Sequence, residues 1–136
     1  MQNYYGTKRI AAWPQEKDGK PGYGVRYRDG YESWSPASEF EAAYQPLDAL
    51  SFGHALEALK AGNRVARAGW NGKGMWLKFV EPYSAMGITD AQAKPVAGDA
   101  TLLPWIGMKT ADNGFVPWLA SQTDVLANDW QVVGEA

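Results

Sequence analysis

Three dipeptides, Asp29-Gly30, Asn71-Gly72 and Asn113-Gly114, constrain most strongly what this chain can fold into. Asn-Gly and Asp-Gly tolerate the positive φ that a type I′ turn needs, and the twist of that turn matches paired strands. Each dipeptide lies between segments able to run as strands, so each predicts an antiparallel hairpin. In GYGVRYRDGYESWS, residues 22–35, a two-residue turn at 29–30 would pair Val25 with Trp34 and Tyr27 with Glu32. RVARAGW (64–70) and MWLKFVE (75–81) read as strands around the second dipeptide. Met75, Leu77 and Phe79 would share one face there, and Trp76, Lys78 and Val80 the other. WIGMKTADNGFVPW (105–118) carries the third turn, WQVV (130–133) reads as a closing strand, and YYGTKRIAAW (4–13) as an opening one.

Helices fill the intervals. Ser35-Pro36 has the form of an N-cap followed by a proline at the first helical position. The short helix it opens, PASEFEAAY, places Phe40 and Tyr44 at i and i+4. In SFGHALEALKAGN (51–63), Phe52, Ala55, Leu56 and Leu59 follow i, i+3, i+4, i+7. Ser51 can cap that helix and Gly62 can end it in the left-handed conformation. SQTDVLAND (121–129) holds a further helical turn. Residues 82–103 show no period and contain Pro, Gly, Ala and Asp, as a lid, an interface arm or an insertion would. The pattern predicts an α+β fold: small antiparallel β-sheets with a packed amphipathic helix. QPLDALS (45–51) joins two unlike halves, which predicts a β-hairpin-helix module over 1–48 and a second domain over 49–136.

Composition narrows the function. A chain of 136 residues suits one ordinary domain or two very small ones. Its core is small enough that oligomerisation would help. Seven tryptophans and seven tyrosines suit a small core, an interface or a stacking site. The net charge of −2 argues against a general nucleic-acid binder, which needs a basic face. It leaves room for a small anionic ligand on a local patch. The absence of cysteine excludes disulfides and thiol chemistry and fits a reducing compartment. The opening MQNYYGTKRIAAWPQEKDG lacks the apolar segment of a signal peptide, and no run is long enough to span a bilayer. The expected place is the cytosol.

Catalytic constellations are thin. The single histidine, His54, falls on the solvent side of its helix by periodicity, and a catalytic base needs an orienting partner. No spacing of His, Cys or Asp suits a metal. Asp112, Asp124 and Asp129 fit turn and cap roles. Binding features are denser. From Lys60 to Lys78 the chain carries Lys60, Arg64, Arg67, Lys73 and Lys78 with no acidic residue. Gly69, Gly72 and Gly74 would let a ligand approach the backbone, with Trp70 beside them as a stacking ring. Core packing explains Trp70 or Trp76 taken singly. A second group, Lys109, Thr110, Trp118, Ser121, Gln122 and Asp124, offers a cation, hydroxyls, an amide, a carboxylate and an indole, the mixture that a purine ribonucleotide wants. Against this, Ser121 and Thr123 also suit helix capping, and Trp118 suits a core.

FGHALEALKAGNRVARAGWNGKGMWL followed by MKTADNGFVPWLASQTDVLANDWQVV resembles the Thoeris anti-defence family, second type, across residues 51–133. Residues 1–48, above all KPGYGVRYRDGYESWSPASEFEAAY, resemble a separate short phage module. The resemblance implies a sponge, a phage protein that sequesters a cyclic nucleotide messenger in the host cytoplasm. The messenger would be a glycocyclic ADP-ribose isomer, or a cyclic dinucleotide such as cyclic GMP–AMP, so that Thoeris or CBASS-type signalling is blocked without cleavage. It implies a homotetramer with ligand between subunits, no cofactor or metal, and no nucleic-acid or membrane partner. On the same footing, Trp70 and Trp118 would stack on adenine and ribose. Asn71, Gly72, Lys109 and Thr110 would meet phosphates and hydroxyls, and Ser121, Gln122 and Asp124 would line the pocket. Two other readings stand beside it: an enzyme that degrades the cyclic nucleotide through Asp112 or Asp124, and a phage structural or protein-interaction module.

Overall fold

The computed structural model describes residues 1–81 and 88–134, and residues 82–87 of the aperiodic segment lie outside them. The chain divides into two units, Met1–Pro46 and Leu47–Ala136. The fold is α+β, with one three-stranded and one five-stranded sheet.

In the first unit β1 (Ala11–Pro14), β2 (Gly22–Arg26) and β3 (Glu32–Pro36) form an antiparallel sheet in the order β1-β2-β3, followed by helix α1 (Ala37–Ala43). α1 docks through Phe40, stacked on Tyr23 at 4.1 Å between ring centroids and on Tyr44 at 4.9 Å. The Tyr23 hydroxyl donates to Glu41 at 2.8 Å, and this bond raises the tyrosine's pKa. The opposite sheet face carries Trp13 and Trp34, whose rings lie over Gly24 and Gly22. A Cβ added at either glycine would fall 2.3 Å from the indole. Glycine in the central strand is what lets both rings lie flat on the backbone.

Three expectations are corrected in this unit. The opening strand begins only at Ala11, and residues 1–9 are exposed without strand structure. Ser35 does not cap α1. β3 runs on to Pro36, which itself occupies the N-cap position at φ −58° and ψ 147°, an extended geometry that the prolyl ring allows. The hairpin register is shifted by one residue: Val25 lies opposite Ser33, and Trp34 opposite Gly24. The Gly30 amide donates to the Tyr27 carbonyl, the Tyr27 amide donates to the Tyr31 carbonyl, and Gly30 sits at φ +91°. That is a three-residue loop with a left-handed third position, and a one-residue change in loop length reverses which face every side chain meets.

In the second unit α2 (Phe52–Lys60) leads into β4 (Arg64–Arg67), a 3₁₀ turn at Ala68–Trp70, then β5 (Trp76–Val80), β6 (Trp105–Lys109), β7 (Phe115–Pro117), α3 (Gln122–Val125) and β8 (Trp130–Val133). The antiparallel sheet runs β7-β6-β5-β4-β8. α2 is built as its sequence reads. Ser51 Oγ accepts from the His54 amide at 3.4 Å, and Ala55 and Leu59 are fully buried. Gly62 at φ +96° ends the helix, its amide donating to the Leu59 carbonyl while the Asn63 amide donates to that of Ala58. Those paired bonds satisfy carbonyls that the last turn would otherwise leave bare. His54 is half-buried rather than solvent-facing.

The core gathers Leu50, Ala55, Leu59, Val65, Leu77 and Trp130 on the α2 side of the sheet. The third hairpin also closes with three residues. The Thr110 amide donates to the Gly114 carbonyl, the Asn113 amide donates back to Thr110, and Asn113 takes the left-handed position at φ +68°. Around Asn71-Gly72 both residues have positive φ, as the dipeptide predicts. The turn does not join the strands directly, because the 3₁₀ turn precedes it and Val65 pairs with Leu77.

Candidate functional site: the Trp70–Trp76 loop and its cleft

The root of the loop is fixed by charge. Arg67, the last residue of β4, holds two carboxylates. Its Nε donates to Asp129 Oδ1 at 2.8 Å and its Nη1 to Asp124 Oδ1 at 2.7 Å. Asp129 Oδ2 accepts the Gly69 amide at 2.8 Å, and the Asp129 carbonyl accepts that of Ala68 at 3.0 Å. The side chains of Arg67 and Asp124 are only 17% and 18% exposed, so this pairing is shielded far better than a surface ion pair. The Arg67 hydrogen bond, joined by the Gly69 amide, holds the Asp129 carboxyl below its usual range.

Beyond that root, Trp70 turns its ring edge-on to the buried Trp130, 5.3 Å between centroids. Trp118 meets Trp130 from another side at 5.9 Å, and Phe52 packs on both. The Trp130 indole donates to the Asp124 carbonyl at 2.8 Å, which satisfies its polar edge inside the core. On the far side of the loop, Lys109 Nζ donates to the Gly74 carbonyl at 3.0 Å. Trp76 projects from the sheet face away from α2 and carries the Arg64 guanidinium 4.2 Å over its ring. The loop therefore borders a cleft of about 230 Å³ lined by Trp70, Gly72, Lys73, Gly74, Trp76 and Gln131 among others.

The residues expected to form one pocket are placed unevenly. Trp70 and Gly72 line the cleft; Asn71 shapes its turn in the left-handed conformation, and Lys109 braces its rim at Gly74. Asp124 reaches the same loop only through Arg67, already committed to that ion pair. Trp118 lies outside the cleft, against Phe52 and Trp130. Thr110 is used within its hairpin, accepting the Gly114 amide at 2.8 Å and donating to Asp112. Ser121 accepts the Asp124 amide at 3.1 Å as the cap of α3, and Gln122 opens that helix, exposed. Sequence reading passed over Arg67 as an organiser, since its partners lie 57 and 62 residues away. It also left Lys73 and Trp76 out of the site, although both stand in the loop it singled out.

Residues 50–133, which hold the loop, the cleft wall and both carboxylate partners of Arg67, match the family described as the Thoeris anti-defense 2-like domain. The chain belongs to that family. It is 46% identical over 90 residues to Thoeris anti-defense 2 of Bacillus phage SP01, an alignment covering 62% of this chain and 94% of that protein. The family match begins within the second unit, and the cleft, the Arg67 network and the Trp130 cluster all belong to it.

Proposed function

We propose that this protein is a phage anti-defence protein that captures a cyclic nucleotide messenger of the host and withholds it intact. The observation that carries the reading is the likeness to Thoeris anti-defense 2 over 94% of that protein's length, joined to a cleft lined by two tryptophans, Trp70 and Trp76, and a lysine, Lys73. The ligand is a glycocyclic ADP-ribose isomer or a cyclic dinucleotide such as cyclic GMP–AMP. Tight sequestration at nanomolar levels needs about −12 kcal/mol. One cleft of about 230 Å³ is smaller than the roughly 300–1,000 Å³ of pockets that enclose drug-sized ligands. A homotetramer enclosing ligand between chains supplies the remaining walls. Trp118, Thr110, Ser121 and Gln122, outside the cleft of one chain, would serve there. The exposed apolar run of Phe115, Val116, Leu119, Val125 and Leu126 supports such an interface.

Cleavage is the less supported course. A general base works best with a pKa near the operating pH. The Asp112 carboxyl is instead pulled below its usual range by the Thr110 hydroxyl, and that of Asp129 by Arg67. Asp124 is bound to Arg67. The test is calorimetric titration of the full chain with glycocyclic ADP-ribose and a panel of cyclic dinucleotides, followed by heating the complex and identifying what is released. Tight binding with unaltered ligand returned is expected. An altered product would make the protein an enzyme, and no binding to any of them would defeat the reading. Light scattering on the same sample should give four chains of 14.9 kDa.

A further inference from the structure

The two faces of the five-stranded sheet differ sharply in charge. α2 covers one. The other presents Arg64 and Ala66 of β4, Trp76, Lys78 and Val80 of β5, Trp105, Gly107 and Lys109 of β6, and Gln131 and Val133 of β8, as the pairing registers require. No carboxylate stands among them. Lys78 and Lys109 donate to the Gly62 and Gly74 carbonyls, at 2.6 and 3.0 Å, bonds that leave their full positive charge in place. The cleft beside the loop opens on this face and adds Lys73. Arg67, the other cation of its wall, is neutralised by two aspartates, so positive potential in the cleft comes from the Lys73 side. The Arg64 guanidinium over Trp76, with an Nε that has no hydrogen-bond partner among the described residues, adds a further cation against the ring.

We propose that the Trp70–Trp76 cleft holds the phosphate-bearing end of the ligand, with Lys73 as the residue that meets the phosphate and Trp76, steadied by Arg64, as the ring beside it. This rests on the sequestration reading above and narrows it. A volume of about 230 Å³ takes a phosphate and an attached sugar, not two bases. The left-handed Gly72 and Gly74, at φ +64° and +73°, leave the backbone bare where the anion approaches. The Trp118–Asp124 block plays no part in this end, because its carboxylate is spent on Arg67 and would repel phosphate.

The full chain and its Lys73→Ala, Trp76→Leu and Trp76→Phe variants are titrated with cyclic GMP–AMP and glycocyclic ADP-ribose at two salt concentrations. Lys20→Ala, whose lysine is exposed in the first unit, is the control. Lys73→Ala should bind about tenfold more weakly, the loss of one charge-assisted contact, and its affinity should depend less on salt. Trp76→Leu should weaken binding and Trp76→Phe restore most of it, while Lys20→Ala matches the wild type. If the wild type binds and Lys73→Ala binds equally well with the same salt dependence, the assignment of the phosphate end is wrong and the sequestration reading stands. If the wild type binds neither ligand, the sequestration reading itself falls, and this assignment with it.

Discussion

At the residue scale, the side chains that matter most here are aromatic or charged, and their neighbours decide their roles. Trp130 has no exposed surface and is ringed by Phe52, Trp70 and Trp118. An indole could equally have been a stacking ring for ligand, and only its neighbours show that this one is core. Trp70 serves both needs, one edge in the cluster and its loop on the cleft. Asp129 shows the same dependence for charge. Its folded pKa is depressed by Arg67, so its contribution to stability is present above the unfolded value, about 3.9, and is lost as pH falls through the folded one. Asp129→Asn should therefore lower stability at pH 7 and flatten the loss of stability as pH falls below the unfolded value and through the folded one. Urea unfolding of both proteins across that range measures it, and parallel curves would show that the carboxylate's charge is immaterial.

At the element scale, the hairpins show how a turn signal can be right about pairing and wrong about register. The two closed by three-residue loops each place one residue in the left-handed region, Gly30 at φ +91° in the first and Asn113 at φ +68° in the second. Asp29 Oδ1 accepts the Tyr31 amide at 3.0 Å, and Thr110 Oγ1 accepts that of Gly114 at 2.8 Å, so a side chain helps to fix each loop. Gly30→Ala meets open space but a backbone that resists Cβ, and should cost about 1 kcal/mol. Asn113→Gly should be nearly neutral, because asparagine already tolerates that conformation. Thermal unfolding distinguishes them; equal costs would mean that φ is not what sets the preference at these sites. Helix α2 follows its sequence more closely, since its cap Ser51 and its closing Gly62 act within a few residues of the chain.

At the scale of the whole molecule, the second unit builds its core from its own residues, Leu50 through Trp130. The Bacillus phage SP01 protein matches this chain over 94% of its own length, with an alignment of 90 residues. Residues 47–136 alone should therefore fold and keep the affinity of the full chain for its ligand. Circular dichroism and the same calorimetric titration test this, and a folded fragment without affinity would assign the first unit a share of the site. That first unit has its own sheet, its own helix and its own pair of tryptophans seated on glycines. Its part in the protein's work is thus separable from the cleft by experiment.

The sequence by itself determined what depends on neighbours along the chain: the α+β class, the extent of α2, the closing strand, and the loop between Trp70 and Trp76. Periodicity, capping residues and glycine tolerance are local, and the folded chain follows them. What only the tertiary structure decided is what depends on distance in space. The order β7-β6-β5-β4-β8, the placing of Trp118 against Trp130, and the division of six clustered polar and aromatic residues between hairpin, cap, core and ion pair are of this kind. Arg67 and Asp129 are 62 residues apart in the chain and 2.8 Å apart in the fold. No local pattern encodes such a contact, because the free energy that selects it belongs to the closed core and not to either segment alone.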